Sequence, residues 1–472
     1  MKHTTSETFD LAIVGGGTAG LSAAIAASGQ GMRVAIIEAM PRVGGTLHWA
    51  AGLMSAAGTS LQKQRGIHDT PEAHFADVME ISRGTADPEF VRKAVELASG
   101  TVDWLLENGL DIDPVCPQNV QNHAFYSVDR TYWGRNKALS ILEVLLRQLE
   151  VLGRDGPVVM TSTKASKLVK DGSGAIEGVL VRTVDGQEQI IAARRVLVTS
   201  GGFAGNPEMF ARLTGRKLYG PMPEGSDGSG IDLLLAAGGT WRESPYLMAS
   251  VGGIEEEPGT GKVSFYERPQ LIPQHRQPWE IYVEKNGQRF MREDNPVIDE
   301  REQDLAKLAD TTFWIVMDAN MVSKAPALFP MWSREKYEEF LAEHPSVSRA
   351  QTLESLAGQV GIDAEGLART VAGYNQGVAQ GGDALGRKHL PAPVATAPFY
   401  AIRNHAVIIK SHWGIRVNNA LQVTDAAGQP IPHLYACGEV LGGSLLSGNS
   451  YVTGMSITPA LSFGRWLGRT LC

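Results

Sequence analysis

Three cysteines in 472 residues, Cys116, Cys437 and Cys472, are too few for a disulfide framework, and none stands in a C-x-x-C or C-x-x-C-H spacing. Zinc ribbons and covalently attached haem are therefore excluded, and no metal site is expected. Long hydrophobic runs are missing too: no stretch of about 18 consecutive apolar residues occurs, so no helix is expected to span a membrane. Basic runs are lacking as well. The 43 Lys and Arg are outnumbered by 51 Asp and Glu, a net charge of −8, which excludes a global basic field for nucleic acid or an anionic membrane surface. Internal repeats and low-complexity tails are not evident. The polar start Met1-Lys2-His3-Thr4-Thr5 shows neither a signal peptide nor a twin-arginine leader, and a cytoplasmic location is the expectation.

What is present begins at Phe9. An apolar strand, Leu11-Ala12-Ile13-Val14, runs into Gly15-Gly16-Gly17-Thr18-Ala19-Gly20, then a helix through Ala27, then a strand Val34-Ala35-Ile36-Ile37 that ends on Glu38 and Ala39. This is a βαβ unit with a G-x-G-x-x-G turn and a terminal acid, the pattern of a dinucleotide site. Gly15 permits the tight turn, Gly17 lets the backbone approach a pyrophosphate, and Gly20 lets helix pack on strand. The helix N-terminus offers free N–H groups and its positive dipole end to phosphates. Glu38 can accept from both ribose hydroxyls.

Further along, Gly44-Gly45-Thr46 and Ala51-Gly52-Leu53 concentrate small residues that let backbone approach a flat or anionic group. The spacing predicts helices opening at Pro71, at Pro88 and at Val102, and another through Leu139–Leu146. Residues 115–135 lose periodicity and carry His123, Phe125, Tyr126, Arg130, Tyr132, Trp133 and Arg135. Short strands with a hairpin at Asp171-Gly172-Ser173-Gly174 follow, then Val196-Leu197-Val198-Thr199 ending on Ser200-Gly201-Gly202. Between roughly 240 and 394 the composition shifts and glycine-led turns cease. His433 to Ala436 is again a buried-type strand, ending Cys437-Gly438-Glu439, and Gly454 to Leu467 reads as a closing helix through Ser456 and Ile457. The expected organisation is α/β: a Rossmann-like dinucleotide-binding domain built on the βαβ unit, residues 1–240 and 395–472, interrupted by an inserted α+β domain, residues 241–394.

These motifs, in this order, together with Gly287-Gln288-Arg289-Phe290 followed by Glu293, resemble the flavoprotein subunit of the fumarate reductase and succinate dehydrogenase superfamily, which also contains the 3-ketosteroid Δ1-dehydrogenases. The resemblance implies FAD, bound at Gly15, Gly17, Thr18, Ala19, Gly20, Glu38, Ala39, Gly44, Gly45, Thr46, Ala51, Gly52, Leu53, Ser200, Gly201, Gly202, Gly438, Glu439, Ser456 and Ile457. The closing helix would face the flavin where charge accumulates on reduction. Covalent members attach FAD through a His after the Gly-Gly; Thr46-Leu47-His48 stands there, but the match is closer to members with a non-covalent flavin.

The superfamily's dicarboxylate reductases grip substrate with arginines and histidines. Here those places fall on Tyr451, Val297 and Lys410, with His412 nearby, so the dicarboxylate clamp is missing. A tyrosine in the place of Tyr451 resembles the ketosteroid dehydrogenases, whose Tyr hydroxyl and a Gly N–H hold the substrate ketone oxygen. Tyr451 and Gly454 fit those roles. Their Tyr base is not matched, and Tyr126 or Tyr132, with Arg130 or Lys410 lowering its pKa, is the expected substitute. Trp133, Trp279 and Trp413 are expected pocket walls. The expected activity is α,β-desaturation of a ketone, cyclic by preference, with an unknown electron acceptor. Alternatives are reduction of an activated C=C bond, oxidation of a di- or tricarboxylate clamped by Arg130, Arg135, Arg276, Arg292 or Arg301, and a flavin sensor without turnover.

Overall fold

A computed structural model describes residues 8–120, 123–264 and 266–471. Cys472 and the polar start lie outside the described residues, and Cys116 and Cys437 are buried free thiols.

Leu11–Val14 is buried along its whole length in a six-stranded sheet of spatial order Gln422–Thr424, Pro430–Ala436, Val196–Val198, Leu11–Val14, Val34–Ile37, Val158–Met160. Every neighbouring pair is parallel except the first. The central strands are covered on both faces, which is why they read as continuous apolar runs rather than alternating ones. Sequence-distant strands meet here, so the two ends of the chain build one sheet. The helix Thr18–Ser28 packs against the closing helix Ile457–Thr470, and glycines set the distance: a Cβ on Gly464 would lie 2.3 Å from the Ala19 carbonyl oxygen. The closing helix starts three residues later than its pattern suggested.

A second, antiparallel sheet has the order Ser250–Gly253, Phe399–Val407, Thr312–Asp318, Ile281–Val283, with Val347–Ala350 also pairing Phe399–Val407. Phe399–Val407 follows residue 394, so the sheet of the inserted segment runs past the expected boundary. Its register, Thr312↔His405 through Asp318↔Phe399, is a long-range pairing that a composition shift does not encode. Trp241–Arg242 pairs Gly414–Ile415 where the chain leaves and rejoins the first unit.

The helix opened by Pro88 runs unbroken as Pro88–Glu107, so the separate helix expected at Val102 does not exist. Asp87 caps it, accepting from the N–H of Glu89 at 3.1 Å and of Phe90 at 3.4 Å, and nothing lies within 4 Å of a Cβ placed on Gly100, so that glycine is merely tolerated. The hairpin at Asp171 forms as read, its carboxylate accepting from the Ser173 N–H at 2.8 Å.

Candidate active site

The turn after Leu11–Val14 opens a cavity of about 980 Å³, within the range of small-molecule cofactor sites. The three glycines meet three different constraints. Gly15 has φ +104°, and a Cβ there would lie 2.7 Å from the Thr199 carbonyl oxygen. A Cβ on Gly20 would lie 2.0 Å from the Gly15 carbonyl oxygen, so the helix can approach the turn only without it. Nothing lies within 4 Å of a Cβ on Gly17, whose bare backbone faces the cavity as phosphate approach requires. Glu38 is fixed at the wall by the N–H groups of Gly16 at 2.7 Å and Met40 at 2.8 Å, one on each carboxylate oxygen, and each oxygen keeps a lone pair for a ribose hydroxyl.

Thr18, Ala19, Ala39, Gly45, Thr46, Ser200, Gly201, Gly438, Glu439, Ser456 and Ile457 line the same cavity with Gly15, Gly17 and Glu38. Ser200 Oγ is buried and has no hydrogen-bond partner among the described residues, an acceptor and donor left for a ligand. Gly20, Gly44, Ala51, Gly52, Leu53 and Gly202 are not on its wall. Gly52, at φ +77°, instead lets its loop pack on the start of the helix Ala138–Leu152, and Gly202 makes room for Ser411 Oγ and Glu439. At Gly52 and Gly202 the missing side chain makes room for close packing. Sequence reasoning missed Arg42, Trp49 and Lys164 on the wall; they carry no motif of their own. His48 lines the cavity with Nε2 3.0 Å from the Val43 carbonyl oxygen, so that nitrogen carries the proton and donates.

The far end of the cavity is chemically distinct. Lys410 Nζ hydrogen-bonds Ser456 Oγ at 3.0 Å where the closing helix begins, and burial lowers its pKa to about 8 against the opposing charges of Glu439 and Glu302. A cation and a helix N-terminus meet there, the arrangement that stabilises negative charge developing on a bound redox group. Replacing Lys410 with Met is expected to make that group's midpoint potential more negative by tens of millivolts, read by equilibration with reference dyes.

Beyond Lys410 lies Tyr451. Its N–H donates to Asp299 Oδ1 at 3.0 Å, its ring stacks on His123 with centroids 4.3 Å apart, and Lys410 Nζ sits 5.5 Å from its centroid. Burial and the charge of Glu302 push the Tyr451 pKa up to about 12, so its hydroxyl stays protonated, and it makes no hydrogen bond with any described residue. Gly454, φ +81°, packs against Met54 and Ser55, where a Cβ would lie 2.3 Å from the Ser55 nitrogen. Its own N–H has no acceptor among the described residues.

The other candidates are engaged elsewhere. Tyr126 donates to the Thr453 carbonyl oxygen, and burial raises its pKa despite Arg130. Tyr132 shares a 2.7 Å hydrogen bond with Thr59 Oγ1, and burial raises its pKa as well. Arg130 opposes the rise at Tyr126 without reversing it, and its guanidinium is paired with Asp69 and Asp77. His412 is buried, and desolvation with Lys410 and Arg242 lowers its pKa to about 3, so it is neutral. Trp133, Trp279 and Trp413 do not line the cavity. Among the arginines considered for a carboxylate clamp, Arg276 pairs with Glu280, Arg292 with Asp294 and Arg135 with Asp111, whereas the nitrogens of the fully buried Arg301 have no hydrogen-bond partner among the described residues. The residues missed at this end are His123, Asp299 and Glu302. Their one local signal was the i, i+3 spacing of the two acids in Ile298–Lys307, which puts both on one helix side.

Residues 10–453 match the FAD binding domain family. The chain is 30% identical over 478 residues to a fumarate reductase (cytochrome) of Shewanella frigidimarina, covering 98% of this chain and 76% of that one. It is 26% identical to a vinyl phenol reductase of Lactiplantibacillus plantarum, covering 99% and 96% respectively. Its fold is like that of a 3-ketosteroid Δ1-dehydrogenase from Sterolibacterium denitrificans, with a TM-score of 0.75 over 99% of both chains at 20% identity.

Proposed function

Since the chain belongs to the FAD binding domain family, and is an FAD-dependent oxidoreductase acting on carbon–carbon bonds, of the fumarate reductase type, we propose that it desaturates the α,β bond of a ketone. The observation that carries this reading is the Tyr451 hydroxyl: protonated, without a hydrogen-bond partner among the described residues, and carried on a half-buried ring that Lys410 faces. The N–H of Gly454 is the second donor. Two donors converging on one carbonyl oxygen stabilise the enolate that forms as the neighbouring carbon loses its proton. Bound FAD supplies the two-electron acceptor for the hydrogen that leaves as hydride. The chain itself holds the oxygen, keeps the donors dry, and sets a cation and a helix end beside the redox group.

The carboxylate alternative is weakened by Arg130, Arg135, Arg276 and Arg292, which are paired with acids of the chain; of the five arginines considered, Arg301 is left without a hydrogen-bond partner among the described residues. Reduction of an activated C=C is the second reading, favoured by the named activities of the fumarate and vinyl phenol reductases. The same donors would hold a conjugated carbonyl in that direction.

The test is anaerobic. Purified oxidised protein is mixed with saturated cyclic ketones, steroid and monocyclic, and with di- and tricarboxylates, while the oxidised-flavin band is followed. Bleaching by ketones alone is the expected result; bleaching by carboxylates alone sinks the assignment of Tyr451. Dithionite-reduced protein offered enones and unsaturated acids reads the reverse direction.

A further inference from the structure

The ketone reading leaves one part unassigned, the group that takes the α-proton. The tyrosines first considered are occupied, and Lys410 is tied to Ser456 Oγ. On the side of Tyr451 toward the inserted segment, the helix Ile298–Lys307 carries Asp299 and Glu302 on one side, and His123 meets both. His123 Nδ1 lies 3.7 Å from Asp299 Oδ1, an ion-pair separation, and the donor atoms of the three residues all fall within 4.8 Å of one another. The imidazole stacks, tilted by 30°, on the ring whose hydroxyl is the proposed oxygen donor, at 4.3 Å between centroids.

We propose, resting on the ketone reading, that His123 is the base for the α-proton and that Asp299 and Glu302 are its positioning residues. The Cα–H bond breaks with its proton going to the imidazole, and its electron pair stays with the substrate to form the new C=C bond. The Cβ hydrogen leaves with its own pair as hydride to oxidised FAD. In the reductive direction the imidazolium returns the proton. An imidazole oriented by a carboxylate on one nitrogen leaves the other for the substrate.

The surrounding charges suit a proton better than a metal. Burial works against a charged His123, but Glu302 and Asp299 outweigh it and raise its pKa, with Lys410 opposing. Burial pushes Glu302 up to about 7, with Asp299 raising it further and His123, Arg268 and Arg301 opposing. With their donor atoms within 4.8 Å of one another, imidazole and carboxyl are close enough to titrate as interacting groups. Lys410, Arg268 and Arg301 would repel a divalent ion.

The test uses the FAD-loaded protein in two independent readouts. In the first, His123→Ala is expected to slow ketone bleaching about 10²-fold or more while the ketone's dissociation constant stays within about threefold, and added imidazole recovers part of the rate. His123→Gln keeps the volume should the alanine variant fold poorly. Glu302→Gln removes the charge that holds a proton on His123, so the acidic limb of the pH–rate profile moves down by roughly one unit. In the second, the His123 ring proton titrates by NMR above its ordinary value in the parent, and Glu302→Gln lowers it. A His123 variant that bleaches at the parental rate and pH profile, while Tyr451→Phe is slow, overturns the proposal and leaves the ketone reading standing. If no ketone bleaches the parent, the ketone reading fails first. His123 titrating at its ordinary value, unmoved by Glu302→Gln, then overturns the coupled pair as well.

Discussion

Tyr451→Phe is expected to slow flavin reduction by a bleaching ketone about 10²- to 10³-fold, the loss of about 3 kcal/mol of transition-state stabilisation that one enolate donor supplies. The substitution is a clean one. Phe keeps the ring that stacks on His123, and the hydrogen bond to Asp299 comes from the backbone N–H, which the change leaves in place. The hydrogen bond that Tyr451 makes among the described residues is that of its N–H, so loss of the hydroxyl orphans none of their polar groups. FAD content and unfolding midpoint should therefore match the parent. Because the hydroxyl stays protonated up to about pH 12, the deficit should be constant across the assay range, in contrast to the pH-dependent deficit of Glu302→Gln. The checking measurement is stopped-flow bleaching under saturating ketone from pH 6 to 9, with about one order of magnitude in rate as the smallest effect compatible with a donor role. A Tyr451→Phe rate within threefold of the parent would reduce Tyr451 to a packing aromatic.

The cofactor half of this site was legible in the sequence because its determinants are local. Gly15, Gly17, Gly20 and Glu38 lie in one βαβ unit, and each glycine's reason can be argued from turn geometry before any coordinates exist. The catalytic half was not legible to the same degree. Tyr126 and Tyr132 read as bases because aromatic residues clustered in a loop without periodicity. What decides their roles is Thr453 for one and Thr59 for the other, partners 327 and 73 positions away. His123 drew no role for the same reason: its meaning comes from Tyr451 and from a helix in the inserted segment. The place of Phe399–Val407 in the second sheet was not legible either, since it follows from pairing with strands such as Thr312–Asp318, far away in the sequence. Glycine-rich stretches proved ambiguous, with Gly17 facing a cavity and Gly52 buried against a helix.

The loop that carries His123 and Tyr126 rests on a buried charge, and removing that charge is the largest expected loss of stability. Arg130 is fully buried, with Nη2 2.8 Å from Asp69 Oδ1 and Nη1 3.0 Å from Asp77 Oδ2. Each acid in turn organises chain: Asp69 accepts from Gln62 Nε2 at 2.9 Å, and Asp77 from both the N–H and the hydroxyl of Ser127 at 2.8 Å. Arg130→Ala leaves two buried carboxylates with no cation, a cost of about 3–5 kcal/mol and larger than for an isolated pair. Arg130→Met fills the volume but still strands both acids, so it is expected to recover little; Met with Asp69→Asn and Asp77→Asn should recover most. The pH dependence has a definite sign. Burial already raises the Asp69 pKa with Arg130 opposing it, so without Arg130 it rises further. The folded variant then binds a proton at Asp69 that the unfolded chain releases, so the contribution of Asp69 to stability is greatest below about pH 4 and is lost as pH rises through the folded pKa. The urea midpoint difference between parent and Arg130→Ala should accordingly be wider at pH 8 than at pH 5. A difference that narrows toward pH 8 would mean the acids are not held charged by Arg130. Because Tyr126 from this loop hydrogen-bonds the Thr453 carbonyl beside Gly454, the variant should also lose ketone bleaching at temperatures where its flavin is still bound. That separates the support beneath the donors from the cofactor site itself.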